Sequence, residues 1–124
     1  MNLTNTKALF KKYPKLFIKN NLRFGFECDD GWYDLINGLA HCIQSYIDQN
    51  KRLNINQPVV SQIKEKYGGL RFYTNGIDNE LIRGMIWFAE SYSYQTCELC
   101  GQKGTPNETG WIKTLCKECK GDKK

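Results

Sequence analysis

The sequence predicts an α+β fold: a small antiparallel sheet built on one β-hairpin, packed with two amphipathic helices and closed by a C-terminal zinc ribbon. Three observations carry this. Trp32, Leu35, Ile36, Leu39, Ile43, Tyr46 and Ile47 recur three or four residues apart, as on one face of a helix. Gly68-Gly69 stands between two β-prone runs, Val59–Lys66 and Leu70–Thr74, as in a tight hairpin. Four cysteines close the chain as two C-x-x-C pairs, Cys97/Cys100 and Cys116/Cys119, with fifteen residues between the pairs.

The chain has 124 residues and a net charge of +5, from 18 basic and 13 acidic side chains. That length suits one α+β domain, residues 1–95, with a small appendage, residues 96–124. The mild basic excess permits contact with a polyanion without demanding it. No apolar run reaches the length of a membrane span and the first residues lack a signal-peptide core, so a cytoplasmic location with no membrane partner is expected. Cys28 and Cys42 are left over; in a reducing compartment they read as free, buried thiols.

In chain order, Leu9, Phe10, Tyr13, Leu16 and Phe17 keep helical spacing, and Pro14 should stop a first short helix near Lys12. Lys7, Lys11, Lys12, Lys15 and Lys19 fill the opposite positions, a solvated face or a phosphate-binding one. The main helix should run from 31 to 49, with Asp30 as its N-cap and Asp34 favoured by the helix dipole. Asp29, Asp30 and Asp34 also compose an acidic cluster, but capping accounts for two of them. His41 and Cys42 are helix neighbours and point apart. Cys28 with His41 is a conceivable nucleophile pair that nothing else in the sequence supports.

With Gly68-Gly69 as the two-residue loop, Tyr67 would oppose Leu70, Lys66 oppose Arg71, Glu65 oppose Phe72 and Lys64 oppose Tyr73. Val59, Ile63, Tyr67, Leu70 and Phe72 then face the core, with Glu65 out of pattern among them. The other face carries Gln62, Lys64, Lys66, Arg71 and Tyr73. Lys64, Lys66, Arg71 and Tyr73 form the candidate ligand-binding surface, since three cations and an aromatic ring suit a phosphate-bearing ligand. A short helix from Pro58 to Tyr67 is the rival local reading.

A last helix should begin at Asp78 as cap, with Ile77 and Ile82 as a hydrophobic staple. Leu81, Ile82, Met85, Ile86, Phe88, Ala89 and Tyr92 would line its core face to about Tyr92. Cys97, Cys100, Cys116 and Cys119 then bind one structural zinc ion. The two-residue gaps aim paired thiolates at one ion, and Gly101 supplies the positive φ that a knuckle needs. Two disulfides are the alternative, and the C-x-x-C spacing argues against them.

The order Asp30-Gly31-Trp32-Tyr33, then Gln62-Ile63-Lys64-Glu65-Lys66-Tyr67-Gly68-Gly69-Leu70-Arg71-Phe72-Tyr73, then the Cys97–Cys119 ribbon, resembles a group of small proteins of tailed phages, prophages and some bacteria. The likeness covers about residues 24–119. It implies a phage or mobile-element setting and carries over no catalytic residue. With that setting, the expected function is a non-enzymatic accessory protein, host-directed in the sense of anti-defence or host takeover. It would bind a host protein or sequester an anionic, nucleotide-like ligand. The alternative is a zinc-ribbon nucleic-acid-binding regulator. A hydrolase built on Asp29, Asp30, Glu65 or His41 finds no acid, base and nucleophile motif.

Overall fold

The computed structural model describes residues 1–76 and 79–121. Helix α1, Leu3–Lys12, starts where the Asn2 side chain accepts the Asn5 N–H (2.8 Å) and stops just before Pro14. Its apolar positions and those that follow bury Leu9, Tyr13, Leu16 and Phe17. Lys7, Lys11, Lys12, Lys15 and Lys19 are all exposed. After the two-residue strand β1, Phe26–Glu27, a 3-10 turn at Asp30–Trp32 leads into α2, Tyr33–Gln49. Asp30 does not cap α2 as the sequence suggested. Its carboxylate instead accepts the Asn2 N–H (2.8 Å) and the side-chain amides of Asn2 and Asn5 (both 3.1 Å), tying α1 to the start of the 3-10 turn. α2 buries Ile36, Leu39, Ala40 and Ile43 behind a fully buried Trp32.

Strands β2, Val59–Lys66, and β3, Gly69–Asn75, form the expected hairpin, so the helical reading of 58–67 fails. The sheet order is β1-β2-β3, and β1 pairs parallel to β2 (Phe26 with Ile63, Glu27 with Lys64), so the sheet is mixed, not wholly antiparallel. A two-residue strand shows no alternation, which is why the sequence hid it.

The register also differs. The loop is Tyr67-Gly68, with φ of 53° and 86°, and the pairs are Lys66 with Gly69, Glu65 with Leu70, Lys64 with Arg71, Ile63 with Phe72 and Gln62 with Tyr73. Gly69 is a strand residue, and a Cβ there would stand 2.2 Å from Cζ of Tyr94, so the Tyr94 ring would have to move. Glu65, out of pattern in the sequence, turns to the loop and accepts the Gly68 N–H (2.7 Å). Opposed partners moved by two positions in total, so each residue kept its side of the sheet. An extra residue at Ser61, where the pairing shifts between Val60 and Gln62, adds one correction. Val60 is buried instead of Val59, while Tyr67 is 72% exposed.

Helix α3, Glu80–Ser93, is capped by Asn79, whose side chain accepts the Ile82 N–H (3.0 Å). The expected cap Asp78 and staple residue Ile77 lie outside the described residues. α3 covers the outer edge of β3: Ser93 Oγ accepts the Leu70 N–H (2.8 Å) and Glu90 the Phe72 N–H (2.9 Å). A strand edge satisfied this way cannot template pairing with another chain. Ile82, Ile86 and Ala89 are buried as expected, and Met85 is half-buried. Leu81, Phe88 and Tyr92 are exposed, because β3 and α2 occupy only the arc centred on the first three. Beside Phe88 an apolar groove of about 280 Å³ runs between α2 and α3, past Leu35, Gly38, Cys42 and Met85. The core itself is aromatic at its centre, with Phe17 edge-on to Phe26 (5.1 Å) and Phe72 (6.4 Å). Among the described residues no helix is long and apolar enough to cross a membrane.

Candidate metal centre and hairpin surface

The C-terminal segment is a ribbon of two short antiparallel strands, β4 (Thr105–Pro106) and β5 (Thr114–Leu115), flanked by the two C-x-x-C turns. The Sγ atoms of Cys97, Cys100, Cys116 and Cys119 all lie within 4.8 Å of one another, and those of Cys100 and Cys116 are 3.6 Å apart. A tetrahedral ion with metal–sulfur bonds of about 2.3 Å needs sulfurs about 3.8 Å apart, so the four thiolates fit one ion. Gly101 has the expected positive φ (85°) and donates its N–H to the Cys97 carbonyl (2.9 Å), closing the first turn. In the second, the Cys119 N–H donates to Cys116 Sγ (3.4 Å). Burial pushes the Cys97 thiol up, but amides of Cys116, Cys100 and Leu99 aimed at it prevail and bring it down to about 7. Cys119, sharing protons with Cys116 and Cys100, is pushed up to about 12. The chain thus offers four thiol sulfurs to one ion.

How the ribbon seats on the domain was not legible in the sequence. Glu98, inside the first knuckle, is 2% exposed. Its backbone carbonyl accepts the Gly31 N–H (2.7 Å), and its Oε2 accepts the Asp29 N–H (3.0 Å). Its Oε1 lies 3.1 Å from Lys113 Nζ, an ion pair whose angles fall short of a hydrogen bond. Trp32 Nε1 donates to the Thr96 carbonyl (2.9 Å), and Thr114 Oγ1 donates to the Gly68 carbonyl (2.6 Å). A Cβ on Gly31 would stand 2.2 Å from the Cys97 carbonyl oxygen. Gly31-Trp32 and Gly68 are thus the two seats of the four-cysteine ribbon.

Lys64, Lys66, Arg71 and Tyr73 do share the outer face of the hairpin. The opposed cations are Lys64 and Arg71, however, not Lys66 and Arg71. Glu27, paired with Lys64 from the other side, brings one carboxylate to this face and accepts from Gln62 Nε2 (3.3 Å). Arg71 is half-buried, and its Nη1 donates to the Leu70 carbonyl (3.1 Å) and to Tyr94 OH (3.3 Å). The Tyr94 hydroxyl, with the Glu90 carboxylate nearby, holds its pKa above the ordinary value. Lys66 and Tyr73 are exposed.

The remaining candidates are dispersed. Cys28 is buried, its thiol pushed up to about 12 by burial and the nearby Glu98 carboxylate, the opposite of an activated nucleophile. His41 lies exposed on α2, and Cys42 is exposed too, contrary to the expected burial. Among the described residues, the four cysteines are the cluster of metal-ligating side chains close enough to hold an ion.

Fold and site together define a small α+β protein with a C-terminal ribbon whose four cysteines are placed to hold one metal ion. No family model matches the chain, and neither does any curated protein or solved structure.

Proposed function

We propose that this is a non-enzymatic binding protein, with a structural zinc ion at Cys97, Cys100, Cys116 and Cys119. The outer hairpin face of Lys64, Lys66, Arg71 and Tyr73 would receive an anionic, nucleotide-like ligand. Zinc is the ion whose tetrahedral preference and affinity for thiolates suit four cysteines, and a reducing compartment such as the cytoplasm would keep those cysteines as thiols. The observation that carries the ligand reading is the direct opposition of Lys64 and Arg71 on the outer sheet face, where Glu27 pairs with Lys64 from its other side. Opposed like charges disfavour the sheet by a few tenths of a kcal/mol, and one bound anion turns that repulsion into shared attraction. The phage setting that the resemblance implies makes a host-directed role, binding a host protein or sequestering such a ligand, the cellular form of this proposal.

The test has two arms. Protein purified without added metal should contain about one equivalent of zinc, as a four-thiolate site requires; two disulfides and no metal would overturn that part. Nucleotides should raise the melting temperature of the wild type, and Lys64→Ala should reduce the rise while leaving the unliganded melting temperature unchanged or slightly higher. A full ligand response in Lys64→Ala and Lys66→Ala together would move the site elsewhere.

A further inference from the structure

At the tip of the hairpin, Tyr67 is an exception to two rules at once. It is a bulky residue at positive φ (53°), where Asn, Asp or Gly is the ordinary choice, and it is 72% exposed, so packing does not compensate the strain. Trp111, at the tip of the loop between β4 and β5, is 81% exposed. The two lie on elements far apart in sequence, yet both line one cleft of about 360 Å³, together with Lys66 and Ile112. That volume falls within the range of about 300–1,000 Å³ typical of small-molecule sites.

Both rings are carried on stiffened loops. Asn107 Nδ2 donates to the carbonyls of Thr109 (2.7 Å) and Trp111 (2.8 Å), and its Oδ1 accepts the Lys113 N–H (2.6 Å). On the other side Oε2 of Glu65, whose carboxylate lines the cleft, accepts the Gly68 N–H. The two loops touch: a Cβ on Gly68 would come within 3.1 Å of Ile112 Cγ2. Lys66 Nζ sits 5.8 Å from the Tyr67 ring centre, a cation at the lip of an aromatic surface.

We infer that this cleft is a nucleobase-stacking site, in which Tyr67 and Trp111 stack a base and Lys66 meets its phosphate. The inference rests on the ligand reading above and extends it, since Lys66 belongs to both the cleft and the basic face. Exposed rings beside a cation are how proteins hold unpaired bases, because every base offers a π-face and every nucleotide a charge. The base can come from a mononucleotide or from single-stranded nucleic acid. The metal ribbon is then part of the site, because it holds Trp111 against the hairpin tip.

The experiment measures binding of thymidine monophosphate and of a ten-residue oligothymidylate to the metal-loaded protein, at low and at physiological salt. Tyr67→Asn and Trp111→Ala should each weaken binding by about tenfold or more. Tyr67→Asn suits the turn better than tyrosine does, so it should not cost stability. Lys64→Ala, outside the cleft, should weaken binding mainly through a shallower salt dependence. Comparable affinity for both probes assigns the site to nucleotides; binding of the oligomer alone assigns it to single strands. Binding that survives both ring substitutions but falls in Lys64→Ala overturns the stacking site and leaves the basic face standing. Absence of binding by the wild type at low salt overturns both, and capture of a protein that depends on Tyr67 and Trp111 would then mark the cleft as a protein interface.

Discussion

Replacing Gly31 by alanine tests whether the metal ribbon and the α+β domain are one structure. The new Cβ would stand 2.2 Å from the Cys97 carbonyl oxygen and 2.4 Å from that of Glu98, both backbone atoms that cannot swing aside. Reaching the 3.0 Å that real Cβ contacts respect requires the ribbon to retreat by about 0.8 Å. A retreat of that size stretches the Gly31-to-Glu98 hydrogen bond from 2.7 Å to about 3.5 Å, beyond useful geometry. The Trp32 bond to Thr96 and the Asp29 bond to the Glu98 carboxylate weaken with it. Two neutral hydrogen bonds at about 1 kcal/mol each and a carboxylate-accepted one at about 1.5–3 kcal/mol place the loss near 3–5 kcal/mol. That is a large share of the roughly 5–15 kcal/mol by which domains are stable. The control is Gly38→Ala, inside α2, where a Cβ meets nothing within 4 Å. Relief of helical glycine should stabilise there by about 0.5–1 kcal/mol. Urea unfolding of the metal-loaded proteins compares the two, and a chelator competition reads metal release. If Gly31→Ala unfolds at the same urea concentration as the wild type and keeps its metal as tightly, the ribbon is not seated as described.

Three further outcomes follow from particular contacts. Glu98→Ala leaves the Asp29 N–H unsatisfied and Lys113, raised above its ordinary pKa by that carboxylate against the lowering effect of burial, without its partner; a loss of about 2 kcal/mol is expected in urea. Tyr67→Asn should raise the unfolding free energy by up to about 1 kcal/mol, read as a higher urea midpoint, because asparagine tolerates left-handed φ where tyrosine is strained. Native alkylation followed by mass mapping should modify Cys42 and spare Cys28. Because the folded protein holds the Cys28 proton to about pH 12 while the unfolded chain releases it near 9, stability from this group is present below pH 9. It is lost as pH rises from 9 to 12, and Cys28→Ala should flatten that part of the profile.

The sequence by itself determined whatever depends on local spacing. The 3.6-residue period placed α2 and the burial of Trp32, Ile36, Leu39 and Ile43; Pro14 ended α1; the C-x-x-C pairs named all four clustered cysteines; alternation sorted the hairpin into its two faces. These are short-range constraints, and each leaves a regular imprint on neighbouring residues. Only the tertiary structure decided which two residues turned the hairpin, because local conformation favours Gly68-Gly69 while the observed loop, Tyr67-Gly68, puts a tyrosine at positive φ. The Tyr94 ring against Gly69 and the Glu65 carboxylate on the Gly68 N–H select the observed loop. It alone paired β1 with β2, turned Leu81, Phe88 and Tyr92 outward, and made Glu98 a buried strut, not a surface charge between two ligands. Asp29 meets Glu98 across 69 residues, and Gly68 meets Thr114 across 46. Contacts at such separations follow no period along the chain, so they emerge only once the ribbon has closed over the domain.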